Sequence, residues 1–382
     1  MKFLEALAGY QCRKPYFFIG VTVLLLVMLG AGIANTRLQT DLSKEMPQDI
    51  PSNRMQNRVS EIFGGEDTLL VLVYLDRECS LDGAPKDIRD PKVIRVLMDS
   101  EEVISKESGV RSVRSVGDVF GAMGGVPSTT EGVRTVLESV PSSGRFFNPD
   151  YSATFILVSA TVGSGEEKVN SFVSKINEDL ESVPSPACVR MVVTGSPPLR
   201  SIILETLKSD LVVTLGLASV LIFLLVFAMK RSLESAVLVV SPLAIGLLWT
   251  LGIAGWLGLA FSIATAGLGA MILGLGTEYG IFLLERYREE RLRGLGREKS
   301  MKIALPSVGS SIIGSGMTTI IGFMALLIAP MPMIQNLGKM LALGIFCILV
   351  ATVFSGPSII IAVEDISDKL RGKLAGQGGE AK

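Results

Sequence analysis

The sequence predicts an α-helical membrane protein of six spans, with one α+β domain inserted between the first span and the second. Three observations carry that expectation. The 382 residues are 48% hydrophobic and the mean hydropathy is +0.48, too apolar for an ordinary soluble protein. The excess falls into six blocks, each near the roughly 20 residues that a ~30 Å hydrocarbon core requires. Residues 35–210, between the first two blocks, instead show the shorter periodicities of a water-exposed α+β fold.

Residues 1–34 hold an N-terminal segment and the first span. Phe3, Leu4, Leu7 and Ala8 recur at helical spacing, which suggests a short interfacial helix, a disordered tail being the alternative. The first span runs near Tyr16–Ala34. Gly32-Ile33-Ala34 looks like a small-residue cleavage site, but the apolar run before it, near 18 residues, exceeds the roughly 7 to 15 of a signal-peptide core. An uncleaved anchor is expected.

Residues 35–210 open with a polar stretch containing Pro47 and Pro51, then a helical pattern from about Asn53 to Phe63 that stops at Gly64-Gly65. Thr68–Leu75 reads as a strand. Asp90-Pro91 offers an N-cap and a first-turn proline for a helix reaching about Ser108. Val110–Val116 alternates as a half-buried strand should. A second set follows: strand Ser152–Thr161, helix Gly165–Ser182 after the cap candidate Ser164, and strand Cys188–Thr194. Two successive βαβ sets predict a ferredoxin-like split βαβ sheet of four strands with both helices on one face. Between the sets, Phe120–Tyr151 is rich in Gly, Pro and Ser with one helix, Ser128–Val140; it reads as a substrate-facing loop or a plain connector. In such a sheet the first and fourth strands are antiparallel neighbours. This brings Cys79 and Cys188 together as a candidate disulfide, while Cys12 and Cys347 are expected to stay unpaired.

Residues 211–363 carry the other five spans, near Leu211–Met229, Ala236–Trp256, Ser262–Leu284, Pro306–Ala329 and Leu337–Val363, and residues 364–382 form a tail. Arg13-Lys14, Lys230-Arg231 and the arginine-rich connection from Arg286 to Lys302 alternate with uncharged connections at 257–261 and 330–336. The positive-inside rule then places both termini and the tail in the cytoplasm and residues 35–210 outside. That external segment holds 19 Lys plus Arg against 26 Asp plus Glu, which argues against nucleic acid as its ligand. The chain has no histidine and no paired-cysteine spacing, so no metal centre is expected. Gly274-Leu-Gly276 lies inside an apolar span and reads as helix packing rather than a nucleotide fingerprint. No nucleophile and base pair stands out, and neither an enzyme nor a cofactor is expected.

Glu278 is the one ionisable side chain well inside an apolar block. A carboxylate at membrane depth costs at least about 2.5 to 3.5 kcal/mol, so it persists where it faces a protein interior and serves a function. The charged exit Glu285-Arg286 is seven residues away, about 10 Å along a helix, too far for a comfortable reach to the interface. Thr277 and Tyr279 flank it, and Thr318 and Thr319 lie near mid-span on the next block; they are candidates for direct coupling to Glu278, with packing alone as the alternative. Ser307 and Ser310 read as structural. A membrane carboxyl can take a proton from one side and release it to the other, which makes Glu278 a candidate proton relay, although a sodium site is chemically possible.

The stretch Gly274-Leu-Gly-Thr-Glu-Tyr-Gly-Ile-Phe-Leu-Leu-Glu-Arg-Tyr-Arg-Glu-Glu290 resembles the fourth-helix motif of the resistance-nodulation-division superfamily, especially its MMPL-type lipid exporters. Ser315-Gly-Met-Thr-Thr-Ile-Ile-Gly-Phe323 resembles the fifth helix of that family, Leu337-Gly-Lys-Met-Leu-Ala-Leu-Gly344 its sixth, and Phe63-Gly-Gly-Glu-Asp67 the start of its porter domain. The resemblance implies proton-driven export of lipids or other hydrophobic molecules, with Glu278 at the relay acid, usually Asp, and Tyr279 at the aromatic that bonds the relay acid of the opposite half. Full-size members contain two such halves. This chain is similar to the half-size, hydrophobe/amphiphile efflux-3-like members, which implies a homodimer, a lipid substrate and an extracytoplasmic lipid-carrier protein as partner. A SecD/SecF-like protein-export accessory and a lipid-sensing membrane subunit are the alternatives.

Overall fold

The chain divides into two units, residues 48–205 and a second made of residues 1–47 and 206–382. They are seen in a computed structural model that describes all residues except 1, 40–44, 48, 56–57, 59–66, 80, 82, 142, 163–165 and 378–382. Most of the helix expected at 53–63, the Phe63–Asp67 motif up to Glu66, and the cap candidate Ser164 lie outside the described residues.

The helical unit opens with α1 (Lys2–Arg13) and α2 (Pro15–Gly30), the latter continued by a 3-10 turn, Ala31–Asn35, and the short strand β1 (Arg37–Leu38). Pro15 occupies the first position of α2, and the residue before a proline is pushed out of the helical region, which separates the two helices at Lys14.

The second unit is built on strands β2 (Asp67–Leu75), β3 (Val110–Arg114), β4 (Ala153–Ala160) and β5 (Val189–Gly195), in the spatial order β3-β4-β2-β5 with every neighbouring pair antiparallel. Helices α3 (Pro91–Ser105), α4 (Gly117–Ala122), α5 (Thr130–Ser139) and α6 (Glu166–Ser182) lie between them in sequence. The cap expected at Asp90 is present: its side chain accepts from the Lys92 amide at 2.8 Å, with Pro91 at the first helical position. Alternation puts Leu69, Val71 and Val73 of β2 and Ile156, Val158 and Ala160 of β4 into one core with Ile94 and Leu97 of α3 and Ile176 of α6. Helices α3 and α6 pack against each other. The strand expected to run to Val116 stops at Arg114, because the Ser115 hydroxyl turns to accept the Gly117 amide at 2.8 Å and starts α4, a helix the composition did not suggest.

Cys79 and Cys188 are joined, with Cα atoms 5.5 Å apart. The register explains it: β2 and β5 pair as far as Leu75↔Val189, and the Asp76 amide continues the ladder to the Cys188 carbonyl at 2.8 Å. Cys12 and Cys347 are free.

Glu101 on α3 has a buried oxygen without a partner. Burial, with the Asp118 charge nearby, pushes its carboxyl up to about 7, against hydrogen bonds from Ser115 that pull it down. The folded state therefore holds this proton more tightly than the unfolded chain, and stability contributed here falls as pH rises from the ordinary 4.5 toward about 7. Glu101→Gln is expected to flatten that part of the profile of thermal midpoint against pH; an unchanged slope in the variant would count against the assignment.

The helical unit resumes within α7 (Ser196–Lys230), followed by α8 (Leu233–Trp256), β6 (Ala260–Phe261), α9 (Leu268–Leu292), α10 (Arg297–Met324), α11 (Pro332–Phe354) and α12 (Gly356–Gln377). Six segments are long and apolar enough to cross a membrane: Pro15–Asn35, Ser196–Lys230, Leu233–Trp256, Ile263–Leu292, Arg297–Ile328 and Pro332–Phe354. Helices α8 and α11 form the centre, with 56% and 61% of their apolar windows buried, against 6% for the span in α7 and 17% for that in α10. The chain is a multi-pass membrane protein of mainly helical structure with a small antiparallel sheet.

Two local features organise this bundle. A Cβ built on Gly252 would stand 2.0 Å from the Leu29 carbonyl oxygen, and one on Gly255 1.9 Å from that of Gly32, so backbone touches backbone where the first span crosses α8. The sixth span, expected to run unbroken to Val363, instead ends at Phe354 and restarts at Gly356. Pro357 is responsible, since its ring displaces the carbonyl four residues back and it has no amide to donate. The freed carbonyls of Val353 and Phe354 accept from the fully buried Gln11 side chain of α1 at 3.1 and 2.7 Å.

Candidate functional site

Glu278 lies midway along α9, and its neighbours decide which way it points. A Cβ on Gly276 would meet Ile348 of α11 at 2.7 Å, and one on Gly280 would meet the Val239 carbonyl of α8 at 3.0 Å. These two glycines seat α9 against the centre of the bundle. Glu278, two residues from each and thus about 200° round the helix, faces outward and is exposed. Met271, Leu275 and Phe282 share that outward stripe.

Its described side-chain partner is Ser315 of α10, whose hydroxyl donates to Oε1 at 3.2 Å. Tyr279, by contrast, is only 1% exposed. Its hydroxyl lies beside Ser315 and 3.4 Å from where a Gly316 Cβ would stand, so it is held within its own chain. Thr318 and Thr319, the candidates for coupling to Glu278 or for packing alone, make no hydrogen bond to it among the described residues. Both hydroxyls turn back to the Ser315 carbonyl, at 2.8 and 2.9 Å, which is the usual way a helical threonine satisfies its donor. They support the site indirectly, through the backbone of its one direct partner. Thr277 likewise bonds the Leu273 carbonyl at 2.6 Å. Sequence reasoning missed Ser315 as the direct donor. The signal was its place four and eight residues beyond Ser311 and Ser307, on one helix face.

Toward the charged end of α9 the cations Arg286, Arg291, Arg293, Arg297 and Lys302 pair with acids. Glu290 is 2% exposed and holds Arg286 at 2.7 Å and Arg293 at 3.0 Å. Glu364 of α12 accepts from Tyr287 and from Arg291, the latter at 2.8 Å, and Arg297 bonds Asp365 and Asp368. Between α7, α9 and α10 at this end opens a cavity of about 680 Å³, lined in part by Lys230, Glu285, Arg288, Ser307 and Ser311. Among the described residues no cluster of His, Cys, Asp and Glu has the form of a metal site.

Comparison with known proteins places this geometry. The MMPL family model matches residues 46–368. The protein MJ1562 of Methanocaldococcus jannaschii is 34% identical over 368 residues, 94% of this chain and 94% of that protein. The siderophore exporter MmpL5 of Mycobacterium tuberculosis is 24% identical over 320 residues, 82% of this chain but 30% of its own length. MmpL2 of the same species is 25% identical, with the same shares covered. With a family match over most of its length and a relative of its own size, the chain belongs to the MMPL family.

Proposed function

We propose that the chain is half of a proton-motive-force-driven exporter of lipids or other hydrophobic or amphiphilic molecules, working as a homodimer with Glu278 as proton relay. The observation that carries this is the outward Glu278 carboxylate, exposed at mid-span with the Ser315 hydroxyl at 3.2 Å. Facing lipid, such a charge costs at least about 2.5 to 3.5 kcal/mol. A second copy covering the stripe removes that cost and supplies the second acid.

The relatives support the reading. MmpL5 is named an exporter, and the match covers 30% of its length, which leaves room in that protein for a second unit of this size. Strand order β3-β4-β2-β5 with antiparallel neighbours is what a ferredoxin-like porter domain requires. The cationic connection after α9 favours a cytoplasmic position for both termini in the cell membrane, with residues 35–210 outside and open to a lipid-carrier protein.

Dimerisation is tested by crosslinking. In a Cys12→Ala/Cys347→Ala background, Leu275→Cys and Phe282→Cys, both on the exposed stripe, are expected to link two copies on mild oxidation and give twice the 40.8 kDa of one chain. A monomer at every oxidant concentration sinks the dimer. An external domain also favours the Cys79–Cys188 bond. Mass spectrometry of the unreduced protein should find both thiols blocked, and Cys188→Ser should cost about 2 to 4 kcal/mol of stability; two free thiols would refute it.

A further inference from the structure

Many hydroxyls on the spanning helices point back to their own backbone: Thr214, Ser219, Thr250, Thr277, Ser310, Thr318 and Thr319 all donate to a carbonyl three or four residues earlier. Three exposed serines on one face of α10 do not, whereas the unpartnered hydroxyls of Ser235 and Thr352 are buried. Ser315 donates to Glu278, while the hydroxyls of Ser307 and Ser311 have no partner among the described residues and line the charged cavity at the end of α9. The three stand four residues apart on one exposed face, about 6 Å per step. That step is the length of two hydrogen bonds, so one water between successive hydroxyls completes a chain.

We infer that Ser307, Ser311 and Ser315 form a hydroxyl ladder that carries protons between this charged cavity and Glu278. The inference rests on the relay reading above and adds to it the route and the side of the membrane it opens to. Lys230 and Glu285, paired across the cavity mouth, and Arg288 keep that mouth hydrated beyond the hydrocarbon boundary. Ser311 is the middle step. It lines the cavity one helical turn before Ser315, so a bulky side chain there would break the chain of waters.

Thiol accessibility tests the ladder in the full-length protein without any gradient. In the Cys12→Ala/Cys347→Ala background, Ser307→Cys and Ser311→Cys are expected to react with a membrane-impermeant, charged methanethiosulfonate within about tenfold of the rate of Leu292→Cys, and from the same side. Leu292 is 89% exposed at the end of α9 and marks that side, while Ile312, 2% exposed, is the control. Ile312→Cys should be at least about a hundredfold slower. A Ser311→Cys thiol as slow as that control, or open only from the opposite side, overturns the ladder. The folded Ser311→Cys protein, once modified, should then lose at least about tenfold of gradient-driven efflux of N-phenyl-1-naphthylamine from proteoliposomes. Unchanged efflux after modification, in a protein that Glu278→Gln inactivates, overturns the ladder and leaves the relay standing. Unchanged efflux in Glu278→Gln itself sinks the relay first.

Discussion

Glu278→Gln is expected to lower gradient-driven efflux by about a hundredfold or more while leaving the protein folded. The amide has the same shape and keeps a carbonyl oxygen for the Ser315 hydroxyl now 3.2 Å from Oε1, so packing is undisturbed. It has no proton to exchange, and a relay without an exchangeable proton cannot couple a gradient to anything. Glu278→Asp separates chemistry from geometry. Removing one methylene withdraws the carboxylate from Ser315 by about 1.5 Å, so a variant of intermediate activity is expected. Efflux of a hydrophobic dye from proteoliposomes under an imposed pH gradient reads both. Wild-type efflux in the Gln variant would show that the cost of this carboxylate is met for some other purpose.

Gly255→Leu is expected to leave little folded protein, and Gly255→Ala already to lower the thermal midpoint by several degrees. The obstacle is backbone, not a flexible side chain: the added Cβ would sit 1.9 Å from the Gly32 carbonyl oxygen, and no rotamer change relieves that. The first span must back away from α8, opening a gap along the whole crossing, where overpacking alone costs about 1 to 3 kcal/mol. Gly274→Ala is the matched control, since nothing lies within 4 Å of a Cβ there. Size-exclusion profiles and thermal midpoints in detergent distinguish them. Equal behaviour of Gly255→Ala and Gly274→Ala would mean that the crossing is not as close as described.

What was legible in the sequence was periodic or punctuated. The alternation over residues 110–116, the Asp90-Pro91 cap and the apolar blocks each act within a few residues, and each element they announced is present. What was not legible depends on neighbours far along the chain. The break at 354–356 follows from Pro357, but prolines also stand inside α8 at Pro242 and inside α10 at Pro306 without ending those helices. At this break Gln11, some 340 residues earlier, donates its side-chain amide to the freed carbonyls. The arginines after α9 read as a charged edge. Their pairing with Glu364, Asp365 and Asp368 needs the folded position of α12. At the site itself, Glu278 was conspicuous because charge in an apolar block is costly at any fold. Its partner was one serine among several on α10, and only the rotation of α9, set by Gly276 and Gly280, selects Ser315 over Thr318 and Thr319.

The Gln11 clasp also sets an order of events during synthesis. The acceptors of its side chain are the carbonyls of Val353 and Phe354, separated from it by 342 and 343 residues. At roughly 5 to 20 residues per second, the first helix leaves the ribosome on the order of 20 to 70 s before its anchor exists. α1 also packs on α10, with Arg13 3.3 Å from Glu298, and α10 is itself made late, so the docking of α1 comes late in synthesis. The Gln11 bond then joins the first helix made to the last span inserted, so a bundle missing its sixth span has no way to retain its first helix by this contact.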